Sequence, residues 1–256
     1  MKAAKIIVFA NQKGGVAKTT SAVMTAGCMT QRGMDVLLID TDPQGNATDY
    51  VTPELNKSKG NIYDVLMGRC SLLEAIEYGT NFGDVLPASE TLAEDMRALD
   101  NDPFLLAKHL QSVKCNYDYI IIDTPPTLGM ILLSALMSAD CIVIPTLATA
   151  ESIKGINSLI ETIGKYKKYN PNMYIGGFLI NRSNQRVKAV KYCYKQLMQA
   201  SRAIGCVVFD NWISNAEALF GEAELYKLNI FQEMKLHKVK TQYGGFVDEL
   251  LEVMSK

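Results

Sequence analysis

The sequence predicts an α/β fold, a doubly wound, mostly parallel sheet flanked by helices. Strand-like and helix-like segments alternate along the 256 residues. Most of the strand-like runs are apolar without polar alternation, as strands covered on both faces are. The segments between them are long enough to carry crossover helices, which parallel pairing requires.

Taken in order, the first apolar run is Lys5–Ala10, followed by a glycine-bearing turn and a helix over Thr19–Gln31. Asp35–Ile39 is the next strand. Thr52–Asp100 carries the weakest signal, short helices and one strand near Gly83–Pro87. Asp102 and Pro103 offer an N-cap and a first-turn proline for a helix over Pro103–Val113. Tyr117–Ile122 and Asp140–Ile144 are two further strands, separated from Met173–Ile180 by a helix over Ser152–Lys168. A helix over Gln185–Ala203 then leads to a last strand, Gly205–Phe209. Tyr243–Lys256 reads as a helix packed on its own domain. There is no linker, repeat or low-complexity stretch, so residues 1–256 are expected to form a single domain. An N-terminal helix-turn-helix extension is not expected, because the phosphate-loop pattern begins by residue 11.

Composition narrows the function. Hydrophobic residues make up 48 % and charged residues 21 %, which suits a globular chain with a sizeable core. No apolar run reaches the ~18 residues of a membrane span, and the N-terminus lacks the plan of a signal peptide. Six scattered cysteines without a C-x-x-C pair read as thiols in a reducing cytosol. Net charge is −1, yet Thr162–Phe209 holds nine Lys or Arg and no acid, so a cationic face is expected.

The chemistry concentrates at Asn11-Gln-Lys-Gly-Gly-Val-Ala-Lys-Thr-Thr20, which follows a strand and opens a helix. Backbone N–H groups and the helix dipole converge on an anion there. Gly14 and Gly15 let the backbone approach phosphate closely, with Val16 and Ala17 completing the loop. Lys18 would reach the β- and γ-phosphates, Thr19 would ligate Mg²⁺, and Thr20 would lie near the α-phosphate. The general pattern G-x-x-x-x-G-K-[ST] is not met, since Gln12 and Ala17 stand at its two glycine positions. Two further strands end in carboxylates, at Asp40 and Asp42 and at Asp123. That is the crevice where open α/β sheets bind ligands, and a hard cation held with phosphates needs such oxygens.

These residues resemble the ParA/Soj family of partition ATPases, in the deviant Walker A (MinD/ParA) group of P-loop NTPases. Lys13-Gly-Gly-Val-Ala-Lys-Thr-Thr20, Asp40-Thr-Asp-Pro-Gln-Gly-Asn-Ala-Thr48 and Asp123-Thr-Pro-Pro126 carry the resemblance. It is dense over the first 150 residues and weak after about Ser183. It implies a cytoplasmic, nucleoid-associated ATPase using ATP and Mg²⁺. ATP would drive a homodimer that binds double-stranded DNA non-specifically, and a ParB-type partner would stimulate its slow hydrolysis. Lys13 would cross the dimer interface to the partner's phosphates, like an arginine finger. The residues alone leave Lys13 open, since a solvated lysine before a turn looks the same. Asp42 would position the attacking water. Asp40 and Asp123 would support Mg²⁺ through its waters, and Asn181 would contact adenine. Ala17 departs from the family's glycine. If the position needs φ > 0, alanine costs about 1 kcal/mol, and ATP binding weakens without being lost.

Relatives in the group dock on membranes through a basic C-terminal helix. Here the last segment carries Asp248, Glu249 and Glu252, which an anionic membrane repels. Lys188, Lys191, Lys195 and Arg202 fall on one helical stripe, leaving Val187, Val190, Leu197 and Ile204 for the core. That stripe is the expected DNA footprint, with Arg182, Arg186 and the cluster Lys165, Lys167 and Lys168 nearby. Lys235, Lys238 and Lys240 are the nearest substitutes for C-terminal arginines of the family. A MinD-like positioning ATPase and a metabolic ATP-dependent enzyme are the competing readings. Neither a second-substrate pocket nor a nucleophilic cysteine is evident for the latter.

Overall fold

The computed structural model describes residues 3–52, 59–94, 102–184, 187–233 and 237–255. Among them, eight strands form one sheet in the order β3-β4-β2-β5-β1-β6-β7-β8. The chain runs β1 (Lys5–Phe9), α1 (Lys18–Gln31), β2 (Val36–Asp40), α2 (Asn46–Val51), α3 (Ile62–Leu66) and α4 (Leu72–Ala75). It continues with β3 (Glu77–Thr80), β4 (Gly83–Leu86), α5 (Thr91–Glu94), α6 (Leu105–Leu110), β5 (Tyr119–Asp123) and α7 (Met130–Ser138). Then come β6 (Cys141–Leu147), α8 (Ala150–Tyr166), β7 (Tyr174–Asn181), α9 (Lys188–Ile204) and β8 (Val207–Val208). The last elements are α10 (Glu217–Leu225), α11 (Ile230–Glu233) and α12 (Lys238–Ser255).

Every described strand pairing is parallel except β3 with β4. The central strands are buried along nearly their whole length, as their unbroken apolar runs require. One apolar layer packs α7, α8 and α9 against one face, and another packs α1 and α12 against the other. In α12, Val239, Tyr243, Phe246, Val247 and Leu250 are buried at helical spacing, each contributing about 1.5–3 kcal/mol. The acidic C-terminal segment is thus a helix docked on its own sheet.

Several boundaries differ from expectation. β3 was not anticipated: Glu77-Tyr-Gly-Thr80 is a half-exposed antiparallel edge strand with neither an apolar run nor alternation. The helix expected at Pro103 begins at Leu105, with Phe104 as its N-cap. The Asp102 carboxylate accepts the Phe104 N–H at 2.9 Å, so it closes a turn instead of capping the helix. The last strand shrinks to Val207–Val208. Val187 is not a core residue; it precedes α9 and is 45 % exposed. Leu197 is buried as expected, beside Cys193 and Ser201.

Candidate nucleotide site

β1, β2 and β5 bring the three motifs to one sheet end. In the parallel register Asp123 stands opposite both Phe9 and Asp40. Side chains lace these ends together. Thr124 Oγ1 donates to the Phe9 carbonyl at 2.8 Å, and Thr41 Oγ1 to the Asp123 carbonyl at 2.6 Å. Asn11, buried after β1, donates to the Pro145 carbonyl at 2.7 Å and accepts the Lys13 N–H at 2.9 Å. The loop from Asn11 to Ala17 is thereby held between β1 and the end of β6.

Two residues of that loop are left-handed, Gly15 at φ 73° and Ala17 at φ 64°. The condition attached to Ala17 is met. An L-residue there carries strain of roughly 1–2 kcal/mol. Ala17 is also the N-cap of α1, and it has no side-chain acceptor to offer. No acid stands in the first turn. The leading N–H groups of a buried 14-residue helix therefore lack a side-chain partner, as an anion site requires.

The charged groups fit that role. Lys18 is buried, and its charge acts on Asp123. Asp123 is fully buried, and neither carboxylate oxygen has a hydrogen-bond partner. Burial, and next the charge of Asp40, push its pKa up to about 7; Lys18 and the nearby Thr19 hydroxyl draw it back. Burial also raises Asp40, to about 6. Asp40 differs in being saturated. It accepts the Thr48 N–H and hydroxyl, each at 2.8 Å, and the Asp42 N–H at 3.0 Å. It thus anchors the loop before α2, while Asp123 keeps both oxygens for another donor. Asp42 is nearly buried and accepts the Gln44 N–H at 3.1 Å. The described residues hold no cluster of three or more His, Cys, Asp or Glu arranged for a metal. A cation here would depend on phosphate oxygens for most of its shell.

Asn181 ends β7 and joins the loop. Its Nδ2 donates to the Val16 carbonyl at 3.0 Å and to Ser21 Oγ at 3.1 Å, while its buried Oδ1 has no partner. It lines a cavity of about 190 Å³ with Ala17, Thr20, Ile213, Phe220 and Tyr243. The last three carry no motif and escape sequence reasoning; only the fold returns α10 and α12 to the loop. Glu151 was missed as well. Its Oε2 accepts Lys13 Nζ at 2.8 Å, and that bond holds its carboxyl below the usual range.

The cationic stripe forms as expected. Lys188, Lys191, Lys195 and Arg202 are exposed on α9, away from buried Cys193 and Leu197. Of the C-terminal lysines, Lys238 is exposed, but Lys240 Nζ donates to the Phe231 carbonyl at 2.7 Å and is not a free cation. Lys235 and Arg186 lie outside the described residues. Among the described residues no helix is long and apolar enough to cross a membrane.

The profile of the AAA domain family matches residues 4–175. The chain is similar to the sporulation initiation inhibitor protein Soj of Bacillus subtilis strain 168, 37 % identical over 187 residues, covering 71 % of this chain and 74 % of that one. Among solved structures it is similar to a plasmid partition protein from Borrelia burgdorferi, at TM-score 0.75 and 26 % identity, covering 98 % and 99 % of the two chains. It is likewise similar to cobyrinic acid a,c-diamide synthase from Mycobacterium smegmatis with bound ADP and magnesium, at TM-score 0.82 and 25 % identity over 99 % and 96 %.

Proposed function

Because the chain belongs to the ParA/Soj family of P-loop ATPases, we propose that it is a DNA-partition switch that binds ATP with Mg²⁺, pairs with a second copy of itself and hydrolyses ATP slowly. The observation that carries this reading is the buried Lys18 and Asp123 brought together at a helix N-terminus that no side chain caps. Lys18 acts on Asp123 through its charge but hydrogen-bonds no anion among the described residues, both Asp123 oxygens lack a hydrogen-bond partner, and α1 lacks a side-chain cap. A triphosphate with its hydrated cation satisfies all three.

In this reading Gly14, Gly15, Val16 and Ala17 wrap the phosphates with backbone N–H groups. Lys18 neutralises the β- and γ-phosphates, and the Thr20 side of the loop meets the α-phosphate. Thr19 and, through water, Asp40 and Asp123 would hold magnesium, which supplies charge neutralisation at the phosphate oxygens when bound. Asp123, with both oxygens unpaired, is the better placed of the two carboxylates. Asp42 orients the attacking water. Lys13 of one protomer meets charge developing on the other's phosphates. The unpaired Oδ1 of Asn181 accepts from the adenine amino group.

The paired form holds double-stranded DNA without sequence preference through the α9 stripe and Lys238, and a ParB-type partner accelerates hydrolysis. The protein then works in the cytoplasm on the nucleoid. Similarity at 31–37 % identity to Soj and to ParA chromosome partitioning proteins supports partition. The test is ATPase activity with DNA, with a ParB-type protein, and with both. Stimulation by the pair together is expected. Absence of magnesium-dependent ATP binding overturns the reading, and binding to anionic liposomes without binding to DNA favours membrane positioning.

A further inference from the structure

The two tyrosines of α9 are placed in opposite ways. Tyr194 is half-buried, with its ring centroid 4.8 Å from that of buried Trp212. Tyr192 stands 64 % exposed. At 3.6 residues per turn it lies about 40° around the helix from Lys188 and about 60° from Lys195, one turn away on either side. Cys193, Leu197 and Ser201 occupy the buried face, so the ring belongs to the cationic side of the helix. α9 contains no Asp or Glu, and neither does the whole stretch Thr162–Phe209. Among the described residues none of Lys188, Lys191, Lys195 and Arg202 is in an ion pair. An exposed aromatic ring is thus set inside a strip of cations that no carboxylate neutralises.

We propose that Tyr192 is a stacking platform for an unpaired base, so that the α9 face holds single-stranded DNA by its ring as well as by its charge. The inference rests on the reading above, in which this stripe meets DNA, and goes beyond it, because phosphate contacts alone carry no preference for an unpaired base. In a duplex the bases are stacked on one another behind their phosphates, and a ring on the convex side of a helix reaches none of their faces. An unpaired strand leaves those faces free, and every base has one, so stacking adds affinity without reading sequence. A tyrosine also gives up little freedom on contact, having only two side-chain torsions to fix. Lys188 and Lys195, a turn to either side, are placed for the phosphates that flank the stacked base.

The test is fluorescence-anisotropy titration of the full chain, with AMPPNP and Mg²⁺, against labelled oligothymidine and against a labelled duplex of the same length. Tyr192→Ala should weaken oligothymidine binding by about fivefold or more and leave duplex binding unchanged. Tyr192→Phe, which keeps the ring, should match wild type on both. The salt slope should be the same in both variants as in wild type, because stacking releases no counterions. Thermal melting of Tyr192→Ala should also match wild type, since the side chain is exposed. Equal losses on the two ligands, or no loss on either, overturn the platform and leave the duplex reading standing. So does a wild-type chain that binds the duplex and not oligothymidine. A chain that binds neither overturns the proposed DNA contact and the platform with it.

Discussion

Ala17→Gly isolates one backbone conformation at the centre of the site. Ala17 lies at φ 64° and ψ 38°, caps α1 without a side-chain acceptor, and gives its carbonyl to the Ser21 N–H at 2.9 Å and hydroxyl at 2.7 Å. Those two bonds survive the substitution. The left-handed conformation costs an L-residue roughly 1–2 kcal/mol. Glycine avoids this but loses about 0.5–1 kcal/mol more chain entropy on folding. Strain wins, so the variant should be more stable by about 0.5–1 kcal/mol. Urea unfolding without nucleotide should show that gain in the midpoint with an unchanged slope. For a chain of this size it amounts to about 1–4 °C in melting temperature. The methyl also lines the cavity shared with Thr20 and Asn181, so Ala17→Gly should bind ATP more tightly, by less than about tenfold. A variant less stable than wild type would refute the strain argument. Unchanged affinity and turnover would refute any functional cost of the alanine.

Lys18→Met removes the buried cation that draws the Asp123 pKa down, so Asp123 should titrate higher in the nucleotide-free variant. ATP affinity measured by titration calorimetry should fall at least 100-fold, and a loss below about tenfold would remove Lys18 from the phosphates. Stability of the nucleotide-free protein should depend on pH through Asp40 and Asp123. Unfolded carboxylates titrate near 3.9, whereas these are raised to about 6 and about 7 when folded. Between those limits the native state keeps protons the unfolded state has released, so stability falls as pH rises from about 4 to about 7. Urea midpoints across that window should show the fall, and Asp123→Asn should flatten it. Replacing Lys188, Lys191 and Lys195 together by Ala should reduce the salt dependence of DNA binding in ATP by up to about three units of slope. An unchanged slope places the DNA elsewhere.

The parts of the fold legible in the sequence were those whose physics is local. β1, β2, β5 and β6 announce themselves because a strand covered on both faces must be apolar throughout. The gathering of Lys18 and the aspartates at one sheet end was legible because each follows or ends an apolar strand of a parallel sheet. β3 was not, because a half-exposed edge strand gains its hydrogen bonds from β4 and needs no pattern of its own. Glu151 was not, because the ion pair with Lys13 spans 138 residues and follows from β6 lying beside β1. Asp40 and Asp123 differ in their partners for a related reason. Thr48, eight residues beyond Asp40, folds back to saturate it, and no residue does so for Asp123.

The part of the site least visible in sequence is the one that braces it. Ser21 Oγ donates to the Ala17 carbonyl at 2.7 Å, accepts Asn181 Nδ2 at 3.1 Å and stands 3.5 Å from the Tyr243 hydroxyl. β7, the start of α1 and the middle of α12 thus meet at one buried hydroxyl, directly beneath the strained residue of the loop. Tyr243 is fully buried, so its hydroxyl has no water to fall back on, and burial raises its pKa accordingly. A buried polar chain of this kind is favourable only while each member keeps its partner. The left-handed turn at Ala17 can persist because Ser21 and Asn181 hold the backbone on both sides of it, at Ala17 and Val16. The C-terminal helix, acidic on its surface and distant in sequence, therefore belongs to the machinery that keeps the phosphate loop in shape.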